Sequence, residues 1–153
     1  MAGTYTQIYI HAVFAVKNRL SLIKNESKDD IFKYIAGILK NKNQRPIIIN
    51  GTTNHIHILF GLNPSFSISE IIRDIKNNTT NYINKNNYSF GRFSWQAGYG
   101  AFSYSCSQIE TIYKYISNQE SHHKKKSFKE EYIGFLKKFG VPYEEKYLFD
   151  WSE

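Results

Sequence analysis

Pro46-Ile47-Ile48-Ile49-Asn50-Gly51-Thr52-Thr53-Asn54-His55-Ile56-His57-Ile58-Leu59-Phe60-Gly61 is the stretch that decides the fold. Its two halves, Pro46–Asn50 and His55–Gly61, are short and rich in β-branched residues, as strands are. Gly51-Thr52-Thr53-Asn54 between them has turn composition, so the halves are expected to form a hairpin.

Upstream, Tyr5–Val16 is β-branched and aromatic without strict polar alternation, which predicts a central strand covered on both faces. Ser27-Lys28-Asp29-Asp30 then offers an N-cap with acid in the first turn. Ile31, Tyr34, Ile35, Ile38 and Leu39 follow at helical spacing, and this helix should end near Asn41–Asn43.

Downstream, Asn63-Pro64-Ser65 breaks the chain, and Ser67 with Glu70 forms a capping-box pattern. Ile68, Ile71, Ile72, Ile75, Tyr82 and Ile83 mark a second long helix. Gly100–Ser105 is expected as a strand. Ser107 is expected to cap a third helix reaching Gln119 or Glu120, with Ile109, Ile112 and Ile116 as its apolar stripe. Phe128–Phe139 should be a last helix, ended by Gly140 and Pro142. Gly98 and Gly100 flank Tyr99 and suggest a bend before the fourth strand.

Strand, helix, strand, strand, helix, strand is the ferredoxin-like split βαβ order. The fold class is therefore α+β. Right-handed crossovers place the first two helices on one face of an antiparallel sheet, and a further C-terminal helix is added. One domain over 1–153 is expected, with a core at about 5–120 and a helical tail at about 121–153.

The chain has 153 residues, 41% hydrophobic and 22% charged, which argues against overall disorder. A lone cysteine, Cys106, excludes an intrachain disulfide and suits a reducing compartment. No long apolar run suggests a membrane span or a secretory leader, so a cytoplasmic protein is expected. The net charge of +7 favours a polyanionic partner. Twelve tyrosines and eleven phenylalanines leave room for some to stack on unpaired bases.

Side chains two apart on a strand share a face, so His55 and His57 point one way while Ile56 and Ile58 point the other. Two imidazoles on a rigid strand can chelate one cation. A bare His-x-His is common, so the pair alone decides little. On the third helix, Tyr115 and Gln119 lie four apart and share a flank beside Ile112 and Ile116. They offer a phenol as potential nucleophile and an amide oxygen as potential hard ligand. The bland alternative is an anchoring tyrosine and a solvated glutamine. Together the residues complement one another, because phosphodiester cleavage needs a nucleophile and a stabiliser of charge.

With these residues the sequence resembles the HUH-superfamily single-tyrosine transposases, the small TnpA-type enzymes of insertion sequences. The resemblance runs from about Tyr5 to Trp151. Its carriers are Gly51–Pro64 around His55-Ile56-His57, Trp95–Ser103, Tyr115–His123 and the tail Phe128–Phe149. It implies that Tyr115 is the nucleophile and that His55, His57 and Gln119 hold a divalent metal, Mg²⁺ or Mn²⁺. It also implies single-stranded DNA with hairpin ends as substrate, cut and rejoined through a 5′-phosphotyrosine. A homodimer is implied too, in which the tyrosine helix could complete the partner's active site. Asn54 departs from the family, where many members carry an acidic residue before the histidines; loss of that carboxylate is expected to weaken histidine orientation or metal affinity.

Further candidates are weaker. Arg73 and Lys76 on the second helix, and Lys124, Lys125 and Lys126, are candidate DNA-phosphate contacts. His122 and His123 fit a basic surface better than an extended metal site. Tyr113 is the rival nucleophile, but it sits roughly 120° from Gln119 around a helix. His11 fits packing better than ligation, and no dedicated general base is evident. The alternative functions are a domesticated hairpin-processing relative, a replication or conjugation initiator, and a non-catalytic basic module that binds nucleic acid.

Overall fold

The structure is a computed structural model that describes residues 3–17, 22–123 and 125–148. Lys124 lies outside the described residues, as do the side chains of His122 and His123 and the tail residues Phe149 and Trp151. The elements are β1 (Tyr9–Ala15), α1 (Lys28–Asn41), β2 (Arg45–Gly51), β3 (His55–Gly61), α2 (Ile68–Asn86), β4 (Gly100–Tyr104), α3 (Ile109–Ser117), α4 (Gln119–His123) and α5 (Phe128–Lys138).

The strands form one antiparallel sheet in the order β2-β3-β1-β4. That is the ferredoxin-like arrangement, and the α+β fold class is as expected. β2 and β3 form the expected hairpin, with Gly51 opposite Ile56 and Asn50 opposite His57. Gly51 is needed where it stands. A Cβ there would run into the carbonyl oxygen of His55 and would lie 2.9 Å from the Cα of Ile56.

Strand alternation divides the core in two. Ile10, Ala12, Phe14, Ile56, Ile58 and Phe60 face one side, against Ile31, Ile35 and Leu39 of α1 and Ile71, Ile72, Ile75 and Ile83 of α2. Each fully buried isoleucine contributes about 1.5–3 kcal/mol relative to exposure. The other side carries Val13, Ala15, Leu59, Phe102 and Tyr104, against Ile112 and Ile116 of α3 and Phe128, Phe135 and Leu136 of α5. The crossover helices thus share one face, and the C-terminal helices cover the opposite one. His11, His55 and His57 lie on this second face by the same alternation. No helix among the described residues is long and apolar enough to cross a membrane.

Four local expectations change. β1 begins at Tyr9 rather than Tyr5, because Tyr9 already pairs with Gly61 and Tyr104, the last residues of the two neighbouring strands. Beyond that point one backbone bond continues, from Leu62 N to Ile8 O at 2.7 Å, and Tyr5 is 94% exposed. Ser67 does form a capping box with Glu70, but Ser27 makes no side-chain cap, since a short 3-10 turn over Asn25–Ser27 runs straight into α1.

The third helix also differs. Ser107 does not cap it: Ser105, bonded with Gln108, caps a short 3-10 turn over Cys106–Gln108 that runs into α3. α3 stops at Ser117, and Gln119 opens a separate short helix. The amide of Asn50 on β2 donates to the carbonyls of Ile116 at 2.8 Å and Ser117 at 3.3 Å. Those carbonyls are satisfied from the sheet, so the chain can leave the helical path at Asn118.

Candidate active site

β3 sets His55 and His57 side by side with no exposed surface, their ring centroids 5.1 Å apart and nearly perpendicular. α4 brings Gln119 over them, with its carbonyl oxygen 3.0 Å from His55 Nε2. Gln119 is also fully buried, so the solvated alternative does not hold. Tyr115, half-buried near the end of α3, lies with its ring 6.3 Å from that of His57. The helix break therefore does not separate Tyr115 from Gln119; both turn toward the histidine pair within one chain.

α5 supplies a group that sequence reasoning missed. Glu131 is 4% exposed, with Oε1 3.0 Å from His57 Nε2 and 3.5 Å from His55 Nε2. Its Oε2 accepts from the phenol of Tyr115 and, at 3.3 Å, from the amide nitrogen of Gln119. Around it, Phe128 stacks on His55 at 4.3 Å, and Phe135 meets Tyr115 edge-on at 5.7 Å. A signal was present. Phe128, Glu131 and Phe135 fall at i, i+3 and i+7, so a carboxylate sits within the apolar stripe of α5. A buried carboxylate there requires partners.

The outer nitrogens of the histidines are also engaged. Asn54 Oδ1 lies 2.7 Å from His55 Nδ1, and Thr52 Oγ1 lies 2.9 Å from it. Thr52 donates to Asn54 Oδ1 at 2.8 Å, so both oxygens can accept from His55 Nδ1–H. Asn54 thus orients His55 through its amide oxygen. His57 Nδ1 lies 2.7 Å from Nε2 of His11, which is buried beneath it.

This wiring tests whether the site suits a cation. With the proton on His55 Nδ1, a neutral ring turns the Nε2 lone pair toward the Gln119 and Glu131 oxygens. Electron-rich atoms facing one another in a buried site call for a positive charge between them. Ligand atoms of His55, His57 and Glu131 all lie within 4.8 Å of one another. Two imidazole nitrogens, an amide oxygen and a carboxylate oxygen form a donor set that fits a divalent metal.

Tyr115 is held as a neutral phenol. Burial pushes its pKa above the ordinary value, and the hydrogen bond to Glu131 adds to the effect. Burial also lowers His11 well below the usual imidazole range, assisted by the neighbouring His57. A cleft of about 420 Å³ opens beside Tyr115 and Glu131, with Lys126 and Lys138 among its lining residues. It reaches the phenol and the carboxylate, while both imidazoles lie deeper.

The basic candidates are scattered. Lys125 and Lys126 are exposed, and Lys126 lines the cleft. Arg73 is exposed beside Asp74. Lys76 donates to the carbonyls of Gln96 at 2.9 Å and Gly98 at 2.5 Å, tying down the bend before β4. Both α2 residues belong to the helix layer on the opposite side of the sheet from the histidines.

The structure resembles that of a proposed transposase from Deinococcus radiodurans R1, at 18% identity and a TM-score of 0.58, over 78% of this chain and 95% of that one. It also resembles a REP-associated tyrosine transposase bound to a REP hairpin, at 17% identity and a TM-score of 0.56, over 80% of this chain and 73% of that one. These likenesses establish the shared fold. No match is found among curated proteins. Residues 4–119, most of the chain, match the family described as "Transposase IS200 like". The chain belongs to the IS200-like transposase family.

Proposed function

We propose that this transposase cuts and rejoins single-stranded DNA, using Tyr115 as nucleophile and a divalent metal, Mg²⁺ or Mn²⁺, held by His55, His57 and Gln119 with Glu131 as a further donor. The observation that carries the reading is the convergence of the Tyr115 phenol and the buried histidine pair on one carboxylate, Glu131.

A bound divalent cation would polarise a phosphate oxygen and favour departure of the leaving oxygen. Tyr115 Oη attacks phosphorus, forming a tyrosine–phosphate ester at the 5′ end as the bond to the 3′ oxygen breaks. The phenolic proton passes to Glu131, which already accepts it in a hydrogen bond, and from there to the departing 3′ oxygen. Burial, and then the bond to Glu131, disfavour a free phenolate at Tyr115, so proton transfer and attack on phosphorus are expected in one step. The ester keeps the energy of the original bond, and a second 3′ hydroxyl can reverse the reaction on another end.

Lys126 and Lys138 at the cleft supply positive charge for a phosphate backbone approaching Tyr115. Lys124 and Lys125, and Arg73 on the opposite side of the sheet, are proposed as further phosphate contacts. Hairpin-ended single strands are the proposed substrate, consistent with the hairpin bound by the REP-associated relative. His55, His57, Tyr115, Gln119 and Glu131 meet within a single chain, so we propose that the site works in cis, whether or not the protein dimerises. The test is incubation with labelled single-stranded hairpins, with and without Mg²⁺ or Mn²⁺, followed by a denaturing gel. Metal-dependent cleavage with a shifted protein band is expected. Intact DNA across many hairpins would favour a non-catalytic binding module.

A further inference from the structure

The face of the sheet that carries the metal-site histidines holds a third imidazole, His11 on β1. It has no exposed surface and is boxed by the rings of Phe102, Tyr104 and Phe135 at 5.2–6.1 Å. Its Nε2 lies 2.7 Å from His57 Nδ1. Its own Nδ1 has no hydrogen-bond partner among the described residues. Packing alone does not require that nitrogen to sit at hydrogen-bonding distance from a candidate metal ligand.

We propose that His11 is a positioning residue that selects the tautomer of His57, a role that rests on the cation site described above. A neutral imidazole has one N–H and one lone pair. Two facing ring nitrogens therefore share one proton, in one of two ways. If His11 Nε2–H donates to His57 Nδ1, then His57 carries its own proton on Nε2. That proton is directed at Glu131 Oε1, 3.0 Å away, and His57 cannot bind a metal. If His57 Nδ1–H donates to His11, the His57 Nε2 lone pair is free to ligate.

The unpartnered Nδ1 of His11 decides between the two states. In the ligating state this atom carries a hydrogen with nothing to accept it, whereas in the other state it is only an idle lone pair. A buried N–H without a partner is disfavoured, and the His57 Nε2 proton has an acceptor in Glu131 Oε1, so the protein without a cation prefers the proton on His57 Nε2. On loading, His57 gives up that proton and takes the one His11 held at Nε2. His11 takes up a proton at Nδ1 in place of the one that His57 releases, so both rings stay neutral and no net proton is gained or lost. His11 thus makes cation binding and the tautomer of His57 one event. His55 differs, since its Nδ1 faces the oxygens of Asn54 and Thr52 and needs no such exchange.

The experiment compares wild type with His11→Phe, which keeps an aromatic ring but removes the acceptor, and with His11→Gln, whose amide oxygen can replace Nε2. Calorimetric titration with Mn²⁺ alone should show binding about 10–100-fold weaker in His11→Phe and largely restored in His11→Gln. Nitrogen-15 NMR of the wild type should find the His57 proton on Nε2 without metal and on Nδ1 with Mg²⁺. Should His11→Phe fail to fold, the NMR result decides. Equal Mn²⁺ affinity in a folded His11→Phe overturns the role of His11 alone, whereas a proton that stays on His57 Nε2 in Mg²⁺ removes His57 from the ligands and this role with it. A wild type that takes up no Mn²⁺ overturns the cation site itself and this role with it.

Discussion

The phenol of Tyr115 donates to the carboxylate of Glu131, sixteen residues further along the chain and on a different helix. The other oxygen of that carboxylate faces His57 Nε2 at 3.0 Å. One side chain therefore bridges the candidate nucleophile and the candidate metal ligands, and its replacement is informative.

Glu131→Gln keeps the size of the side chain but cannot take the phenolic proton. Loss of general-base assistance typically costs 10²–10⁴-fold, so single-turnover adduct formation at saturating metal should slow by about that factor. A faster Glu131→Gln enzyme would mean that the carboxylate only holds the site closed.

Divalent cations should stabilise the fold through the same donors. At a metal concentration one hundred times the Kd, linkage gives about 2.7 kcal/mol of added stability. Thermal denaturation should show this shift with Mn²⁺ and lose it with a chelator. His55→Ala and His57→Ala should be insensitive to both treatments. An undiminished shift in either variant would place the cation elsewhere.

Asn50→Ala tests how the nucleophile is placed. The variant leaves the carbonyls of Ile116 and Ser117 without the amide that now serves them. Stability should fall by about 0.5–1.5 kcal/mol in chemical denaturation. Adduct formation should fall further than that loss explains, because Tyr115 and Gln119 flank the released segment. Unchanged kinetics would show that the helix break is held by packing alone.

Tyrosine ionisation gives the pH dependence. Burial pushes Tyr104 up to about 12 and raises Tyr115 as well. Each phenol is raised above its unfolded value of about 10, so its contribution to stability is complete below that pH. It is lost as pH rises through the folded value, because the unfolded chain releases the proton first. Tyrosinate absorbance followed alongside circular dichroism should show these residues ionising only with unfolding. A Tyr104→Phe variant should unfold at higher pH than wild type. Ionisation of Tyr115 near pH 10 in the folded, metal-free protein would contradict its burial and its bond to Glu131.

The sheet and its two crossover helices were legible because their signals are local. Alternation around Ile56 and Ile58, the isoleucine stripe from Ile68 to Ile83 and the capping box of Ser67 each act within a few residues. The sharing of a face by His55 and His57 followed from the same alternation. What stayed hidden depends on distant partners. Asn50 ends α3 from across the fold, which no propensity at Asn118 announces. Glu131 could be seen as a carboxylate in an apolar stripe, but its destination depends on how α5 lies over the sheet. His11 could be placed in a strand, yet its hydrogen bond to His57 appears only through the pairing of β1 with β3.

The central claim is that Tyr115 forms the covalent bond to DNA. Its most direct test is peptide mapping by mass spectrometry of the protein–DNA complex formed on a single-stranded hairpin substrate with Mn²⁺. The account predicts one modified peptide, with a nucleotide 5′-phosphate esterified to Tyr115, and no adduct in a Tyr115→Phe protein that still binds the hairpin. An adduct on Tyr113, or one that persists in Tyr115→Phe, would contradict it.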